Sequence, residues 1–363
     1  MHSLPSPEFD TGRELTAAVF ADGSFHLKPV RIPELNPGEL LLKVAAVGIC
    51  GTDLKIFAGR KKPRALPSGD VILGHEVVGE IVTGVGIADQ FKAGDLVVVE
   101  PDIFCGECRY CRAGATNMCV DAKVIFEDYP GAFAQFLVVP AKAVTNRQVH
   151  RLPAQLPAES GTLIEPLACV VHGQSRLLRL LPVRETALII GGGPIGTMHA
   201  LLARAHGFQR VTIVDANRER IELLERLLGA RGGFECLQVE AGAGLEDLGD
   251  RVFDMVVQAC PDVSALQAGF LRVAPAGGLL AFAGVNKGDA VSFDAHRLHY
   301  KDIHVIGSAN YLSEDIRQAI DLLTSDQIPG SLLVSETFPL IRIQEAMKYA
   351  QTGRGLKLVL KPN

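Results

Sequence analysis

Residues Ala187 to Asp215 read ALIIGGGPIGTMHALLARAHGFQRVTIVD, and the reading of this stretch decides the fold. Four apolar residues, Ala187 to Ile190, suit a buried parallel strand. They run directly into Gly191-Gly192-Gly193-Pro194-Ile195-Gly196, which opens a helix expected over residues 197–206. A second apolar strand, Val211 to Val214, then ends on Asp215. Each part suits a bound dinucleotide. Gly191 permits the tight turn off the strand, Gly193 lets a pyrophosphate approach the backbone, and Gly196 lets helix and strand pack closely. The free amides at the helix start, around Pro194 and Ile195, face the phosphates, and proline at a first helical turn loses no hydrogen bond. With 37 glycines in 363 residues, chance alone supplies about 0.4 matches to GxGxxG, so the flanking strand, helix, second strand and terminal acid carry the assignment.

Asp215 stands 19 residues past Gly196, where it can accept hydrogen bonds from an adenosine ribose. A carboxylate there repels a 2'-phosphate, which favours NAD over NADP. Arg218 and Arg220 are the opposing signal, because either could pair with a phosphate if the acid turned away.

The rest of the composition narrows the class. A chain of 363 residues is too long for one ordinary core, so two domains are expected. It is 48% hydrophobic and 21% charged, with a net charge of -5. No basic footprint marks a nucleic-acid partner and no polybasic run marks a membrane surface. The first fifteen residues lack the apolar segment of a secretory signal, and no run is long enough for a membrane span, so a cytoplasmic location is expected. Four of the eight cysteines fall between Cys105 and Cys119.

Those four, Cys105, Cys108, Cys111 and Cys119, form a CxxCxxCx7C lobe. Chance places four cysteines at such spacing on the order of 1 in 10,000 times. Four thiolates close a tetrahedron and leave no open position, which is the pattern of a structural zinc site. A redox-active CxxC is the competing reading, and no thioredoxin-like pattern surrounds it. Two further segments, Gly48-Ile49-Cys50-Gly51-Thr52-Asp53 and Gly74-His75-Glu76-Val77-Val78-Gly79, each bring metal-ligand side chains to a strand end or turn.

In chain order, residues 1 to about 14 read as a polar extension. Antiparallel strands of a small barrel-like unit are expected between Ala17 and Val47, with more strands over 77–82, 95–99 and 132–139. A helix entered through Leu163-Ile164-Glu165-Pro166 runs to about Leu181, and on it Glu165, Cys169 and His172 share a face that is mostly core. After the dinucleotide unit, helices are expected over 219–228 and 264–273 and strands over 253–259, 279–284 and 303–307. Such alternation builds an open parallel sheet with helices on both faces. A helix over 314–323 and a tail over 338–360 follow.

Together these segments resemble the zinc-dependent medium-chain dehydrogenases from about Ala17 onward. Within them the chain is most similar to the sorbitol (polyol) and threonine dehydrogenase branch, through the two metal segments, Tyr129-Pro130-Gly131-Ala132-Phe133-Ala134 and Glu165-Pro166-Leu167. The resemblance implies an α/β protein. A GroES-like, mostly β catalytic domain spans residues 1–165, with its zinc lobe at 101–120, and is rejoined by 309–363; a Rossmann doubly wound sheet over 166–308 is inserted between. It implies two zinc ions per chain. Cys50, His75 and Glu165 would hold the catalytic one and the four lobe cysteines the structural one, while Glu76 is either an alternating fourth ligand or a group behind the ligands. Thr52 matches the hydroxyl that takes the alcohol's proton, and Lys55 stands where the relay usually continues through a histidine. The activity implied is transfer of a hydride from a secondary alcohol of a polyol, sugar-like or amino alcohol to NAD+. The alternatives are an NADP-linked reductase of aldehydes or ketones and, at greater remove, a dinucleotide-binding protein without turnover. A small alcohol or ketone is the expected partner, and a homodimer or homotetramer the expected assembly.

Overall fold

The computed structural model describes residues 14–66, 69–86, 90–240, 245–284 and 287–362. The polar extension expected at the N-terminus lies, apart from Glu14, outside the described residues. The chain divides into two compact units. One comprises Met1–Glu165, Leu312–Thr352 and Lys357–Asn363, the other Pro166–Tyr311 and Gly353–Leu356.

The first unit carries strands β1 (Glu14–Ala21), β2 (Ser24–Arg31), β3 (Leu40–Gly48), β4 (Glu76–Gly84), β5 (Leu96–Val99), β6 (Asp102–Ile103), β7 (Lys123–Val124), β8 (Phe136–Val139) and β9 (Val149–Arg151). The second carries β10 (Thr186–Ile190), β11 (Arg210–Asp215), β12 (Phe234–Gln238), β13 (Phe253–Gln258), β14 (Val273–Ala281) and β15 (His304–Gly307). The chain then returns to the first unit with β16 (Val334–Pro339) and β17 (Lys357–Lys361).

Strand β3 organises the first unit. It pairs antiparallel with β4 along most of its length, with β8 over Leu40–Lys43, and with β17 at Val47 and Gly48. The full order is β16-β17-β3-β4-β5-β9, so the last strand of the chain lies beside the strand that leads into Cys50. Leu42, Val44, Val47, Val77, Phe133, Leu137, Leu358 and Leu360 share its buried core.

In the second unit all six strands are parallel, in the order β12-β11-β10-β13-β14-β15. The order reverses direction at β10, and the crevice beyond the carboxyl ends of the strands at such a switch point is where ligands bind in sheets of this kind. Helices Pro194–Ala205, Arg218–Leu228 and Val263–Leu271 follow β10, β11 and β13. Leu188, Ile190, Val214, Val256, Leu266, Phe270 and Leu279 fill one of its cores.

Three expectations need correction. The strand expected over 132–139 reduces to β8, because residues 132–135 send their hydrogen bonds elsewhere: Ala132 N to Gly74 O at 2.8 Å and Gln135 N to Thr16 O at 3.0 Å. The helix expected to reach Val273 ends at Leu271, and Val273 joins the sheet. Residues 274–277 then bulge out, with Ala276 at φ +57°, before Gly278 resumes the ladder opposite Met255, and the strand stops at Ala281, short of Gly284. Strand β12 was missed because an edge strand reading FECLQ, with only intermediate or exposed positions, lacks the apolar run that marks the buried strands.

Candidate active site

Beginning from β3, Val47 and Gly48 deliver the chain to Cys50, which caps the helix Gly51–Phe57. Asp53, three residues on, accepts a hydrogen bond from Cys50 N through Oδ2 at 2.8 Å, the reciprocal half of a capping box. This fixes the backbone from which the Cys50 thiol projects. Thr52 lies on the first turn, partly exposed, and its hydroxyl has no partner among the described residues. Lys55 points to solvent from the same helix.

His75 enters from the other side. Gly74 has φ +90°, a conformation that favours glycine, and a side chain there would strike the Phe133 ring at 2.4 Å. The turn it makes sets His75 directly before β4. Phe126 stacks on the imidazole with centroids 4.5 Å apart and 26° between planes. His75 Nδ1 and Asp53 Oδ1 are both buried without a hydrogen-bond partner.

Glu165 stands at the start of the helix Ile164–Leu178 and is electrostatically coupled to His75, Glu76, Asp102 and Lys357. Burial, with Glu76 and Asp102 adding, pushes its carboxyl up to about 7 against the pull of His75. For His75, burial lowers proton affinity, but Cys50, Asp53 and Glu165 raise it well above the usual imidazole value. Both groups are drawn to hold protons, Glu165 mainly through burial and His75 through the neighbouring Cys50, Asp53 and Glu165. A divalent cation among a thiolate, an imidazole and a carboxylate would replace those protons, and this donor set suits zinc. The three donors are gathered but not drawn to one point: among the described residues, only the four lobe cysteines have all donor atoms within 4.8 Å of one another.

Glu76 follows His75 in sequence but serves a different neighbour. Both of its carboxylate oxygens accept from Lys357 Nζ, at 2.7 and 2.6 Å, and the ammonium also reaches Ile49 O at 3.3 Å. Side-chain exposures of 4% for Lys357 and 1% for Glu76 make this a buried ion pair. Burial disfavours the ammonium, yet Glu76, Cys50 and Glu165 more than reverse that and raise its pKa, so Lys357 stays charged. Lys357 and Asp53 were missed as site residues. A lone lysine between Leu356 and Leu358 in an apolar strand, and an acid at the third helical position after Cys50, were the available signals.

The cysteine lobe holds Sγ–Sγ separations of 3.9 Å (Cys105–Cys111), 3.5 Å (Cys108–Cys111) and 4.0 Å (Cys108–Cys119). These are far beyond a disulfide and close to the edge, about 3.8 Å, of a tetrahedron with zinc–sulfur bonds of about 2.3 Å. Backbone amides turn toward the sulfurs, Cys105 N to Cys119 Sγ at 3.3 Å and Cys108 N to Cys105 Sγ at 3.3 Å. Amides of Cys111 and Val120 help bring the Cys108 thiol down to about 6.

In the second unit, the glycine turn fits a dinucleotide. A Cβ on Gly196 would lie 1.8 Å from Gly191 O, whereas one on Gly193 would meet nothing within 4 Å, leaving the backbone open to a phosphate. Pro194 and Ile195 open the helix beside it. Asp215 Oδ2 accepts from Gly192 N at 2.7 Å and Oδ1 from Asn217 N at 2.8 Å, which holds the carboxylate at the end of β11. A cavity of about 170 Å³ beside it is lined by Val214, Val239, Leu245, Cys260 and Ala265 among others. Arg220 turns away to Gly355 O at 2.8 Å, and Arg218 pairs with Glu222 at 2.9 Å.

Residues 36–151 match the alcohol dehydrogenase GroES-like domain family, and residues 194–325 match the zinc-binding dehydrogenase family. Sorbitol dehydrogenase of Bacillus subtilis is 30% identical over 93% of this chain and 94% of its own. The chain belongs to the zinc-dependent medium-chain dehydrogenases. D-altritol 5-dehydrogenase of Agrobacterium fabrum is 34% identical over 86% of this chain and 89% of its own. A zinc-binding dehydrogenase of Sinorhizobium meliloti, solved bound to NADP, superposes with a TM-score of 0.81 at 25% identity, over 96% of this chain and all of that one. This dehydrogenase is accordingly an alcohol or polyol oxidoreductase of the polyol and threonine branch, working with zinc and a nicotinamide dinucleotide. Among its described residues no helix is long and apolar enough to cross a membrane.

Proposed function

We propose that the enzyme oxidises a secondary alcohol of a polyol or sugar-like substrate, with NAD+ as hydride acceptor, one zinc ion held by Cys50, His75 and Glu165, and a second held by the four lobe cysteines. The observation that carries this reading is the corner that gathers a thiol and a carboxylate within electrostatic reach of the His75 imidazole, with the Thr52 hydroxyl two residues past the thiol. A zinc ion there supplies Lewis acidity that brings an alcohol's pKa toward neutrality. Thr52 takes up the alcohol's proton as its own hydroxyl proton passes to water, to which the residue is partly exposed. Lys357 keeps Glu76 behind the donors, where it is not a ligand. Phe126 covers one face of His75 and limits its contact with water.

The cofactor preference follows from Asp215. Its carboxylate is pinned by two backbone amides, while Arg218 and Arg220 are committed to Glu222 and Gly355. An NADP 2'-phosphate would meet the acid with neither arginine free to compensate, so the geometry supports NAD. Sorbitol and altritol, on which the two similar enzymes act by name, make polyols the first substrates to test. The experiment follows absorbance of the reduced cofactor across polyols, amino alcohols and simple secondary alcohols, with NAD+ and NADP+ in parallel and after chelation. Metal-dependent reduction of NAD+ by polyols is expected. Preference for NADP+, or turnover that survives removal of zinc, would overturn the respective parts.

A further inference from the structure

Beside the donors lies the short antiparallel β6–β7 pair, the two strands that bracket the cysteine lobe. Asp102 on β6 pairs in register with Val124 on β7, and the chain leaving β7 carries Phe126 onto His75. The backbone of Asp102 is fixed, since its carbonyl accepts from Gln148 Nε2 at 2.8 Å. Its carboxylate is another matter. It makes no hydrogen bond or ion pair among the described residues, remains partly accessible, and lies within electrostatic reach of both His75 and Glu165.

The other charges of this region are spoken for. Glu127 pairs with Lys61 at 2.8 Å. Arg64 and Lys123, each 60% exposed, turn to Asp128 at 2.8 and 3.3 Å. Glu100 is held by His150 at 2.7 Å and Gln148 at 3.1 Å. Glu76 is neutralised by Lys357. A zinc ion with one thiolate and one carboxylate is itself neutral, so it leaves no positive surplus to offset Asp102. Asp102 is the carboxylate of this region without an ion-pair partner among the described residues; burial raises its pKa, His75 and Lys61 pull it back down, and its lone pairs are free to accept.

We propose that Asp102 determines substrate class by accepting hydrogen bonds from hydroxyls adjacent to the carbinol being oxidised, and that it thereby selects uncharged polyols over analogues bearing a carboxylate or phosphate. This rests on the polyol reading given above and narrows it. At a separation of about 7 Å and an effective dielectric constant between about 20 and 40, repulsion of a single negative charge corresponds to about tenfold discrimination or more.

The test compares kcat/KM for matched pairs, ribitol with ribitol 5-phosphate and glucitol with gluconate, in the zinc-loaded wild type, Asp102→Asn and Asp102→Leu. Zinc content and NADH binding by fluorescence, which this role leaves unchanged, verify the fold of each variant. The wild type should favour the neutral member about tenfold or more, mostly through KM. Asp102→Asn keeps an amide oxygen as acceptor but loses the charge, so it should bring the ratio within about threefold, with a smaller loss of activity on the neutral polyol than Asp102→Leu. Asp102→Leu should lose that activity as well, by about tenfold. Turnover of polyols with the same neutral-to-anionic ratio in Asp102→Asn removes the role of Asp102 and leaves the polyol reading standing. No turnover of either class by the wild type removes both.

Discussion

Replacing Lys357 by methionine deletes the cation of the buried pair while keeping the length of the side chain. Glu76, 1% exposed, then has two carboxylate oxygens that lose bonds of 2.6 and 2.7 Å. Removing one member of a buried pair costs about 3–5 kcal/mol, because the remaining charge is stranded in low dielectric. For a chain of this size, with a urea dependence of about 3 kcal/mol per molar, the first unfolding midpoint should fall by about 1 to 2 M. Far-ultraviolet circular dichroism suits the assay, since the chain has no tryptophan. Adding Glu76→Gln to the variant removes the stranded charge and should recover more than half of the loss. A midpoint unchanged within about 0.2 M, or a double variant no better than the single, would refute the argument that the lysine holds the glutamate.

Three further outcomes are expected. His199 is buried among Gln174, 3.0 Å from its Nδ1, and the Phe282 ring, and burial brings its pKa down to about 3. The unfolded chain takes up that proton near pH 6.5 and the folded chain does not, so stability falls as pH drops from 6.5 toward 3, by about 2 kcal/mol at pH 5. His199→Leu should flatten the difference in urea midpoint between pH 7.5 and pH 5; an unchanged slope would place the acid sensitivity elsewhere. Gly196→Ala drives a methyl to 1.8 Å from Gly191 O, so NADH affinity by fluorescence titration should drop at least tenfold, and wild-type affinity would mean the turn does not hold the pyrophosphate. Cys108→Ser should release one zinc per chain by atomic absorption and lower the melting temperature while the remaining zinc stays; undisturbed melting would contradict a structural lobe.

The dinucleotide unit was legible because its signals are local. A strand of five residues, a turn and a helix start must be built from consecutive positions, and steric demand on Gly196 comes from Gly191 only five residues away. Its parallel sheet was legible for the same reason, except at β12 and β14. There an edge position and a bulge at Ala276 relax the apolar pattern, and the strand is specified by its neighbours in the sheet. The spacing of the lobe cysteines was likewise a property of fifteen consecutive residues.

What the sequence by itself determined, then, is the set of chemical groups and the local turns that present them. The tertiary structure decided which groups meet. Glu76 and Lys357 are 281 residues apart, and only the pairing of β17 with β3 brings the lysine against the glutamate. Asp215 finds its partners, Gly192 and Asn217, close by in the chain, but the arginines beside it were ambiguous until the fold sent Arg220 to Gly355. Asp102 read as an ordinary acid between a proline and an isoleucine. It became a candidate for substrate choice because the fold places it near His75 while Lys61, Glu127, Arg64, Lys123, Asp128 and Glu100 pair with one another or with other neighbours. Burial and counter-charge are set by residues distant in the chain, so a pattern of neighbours along the sequence cannot supply them.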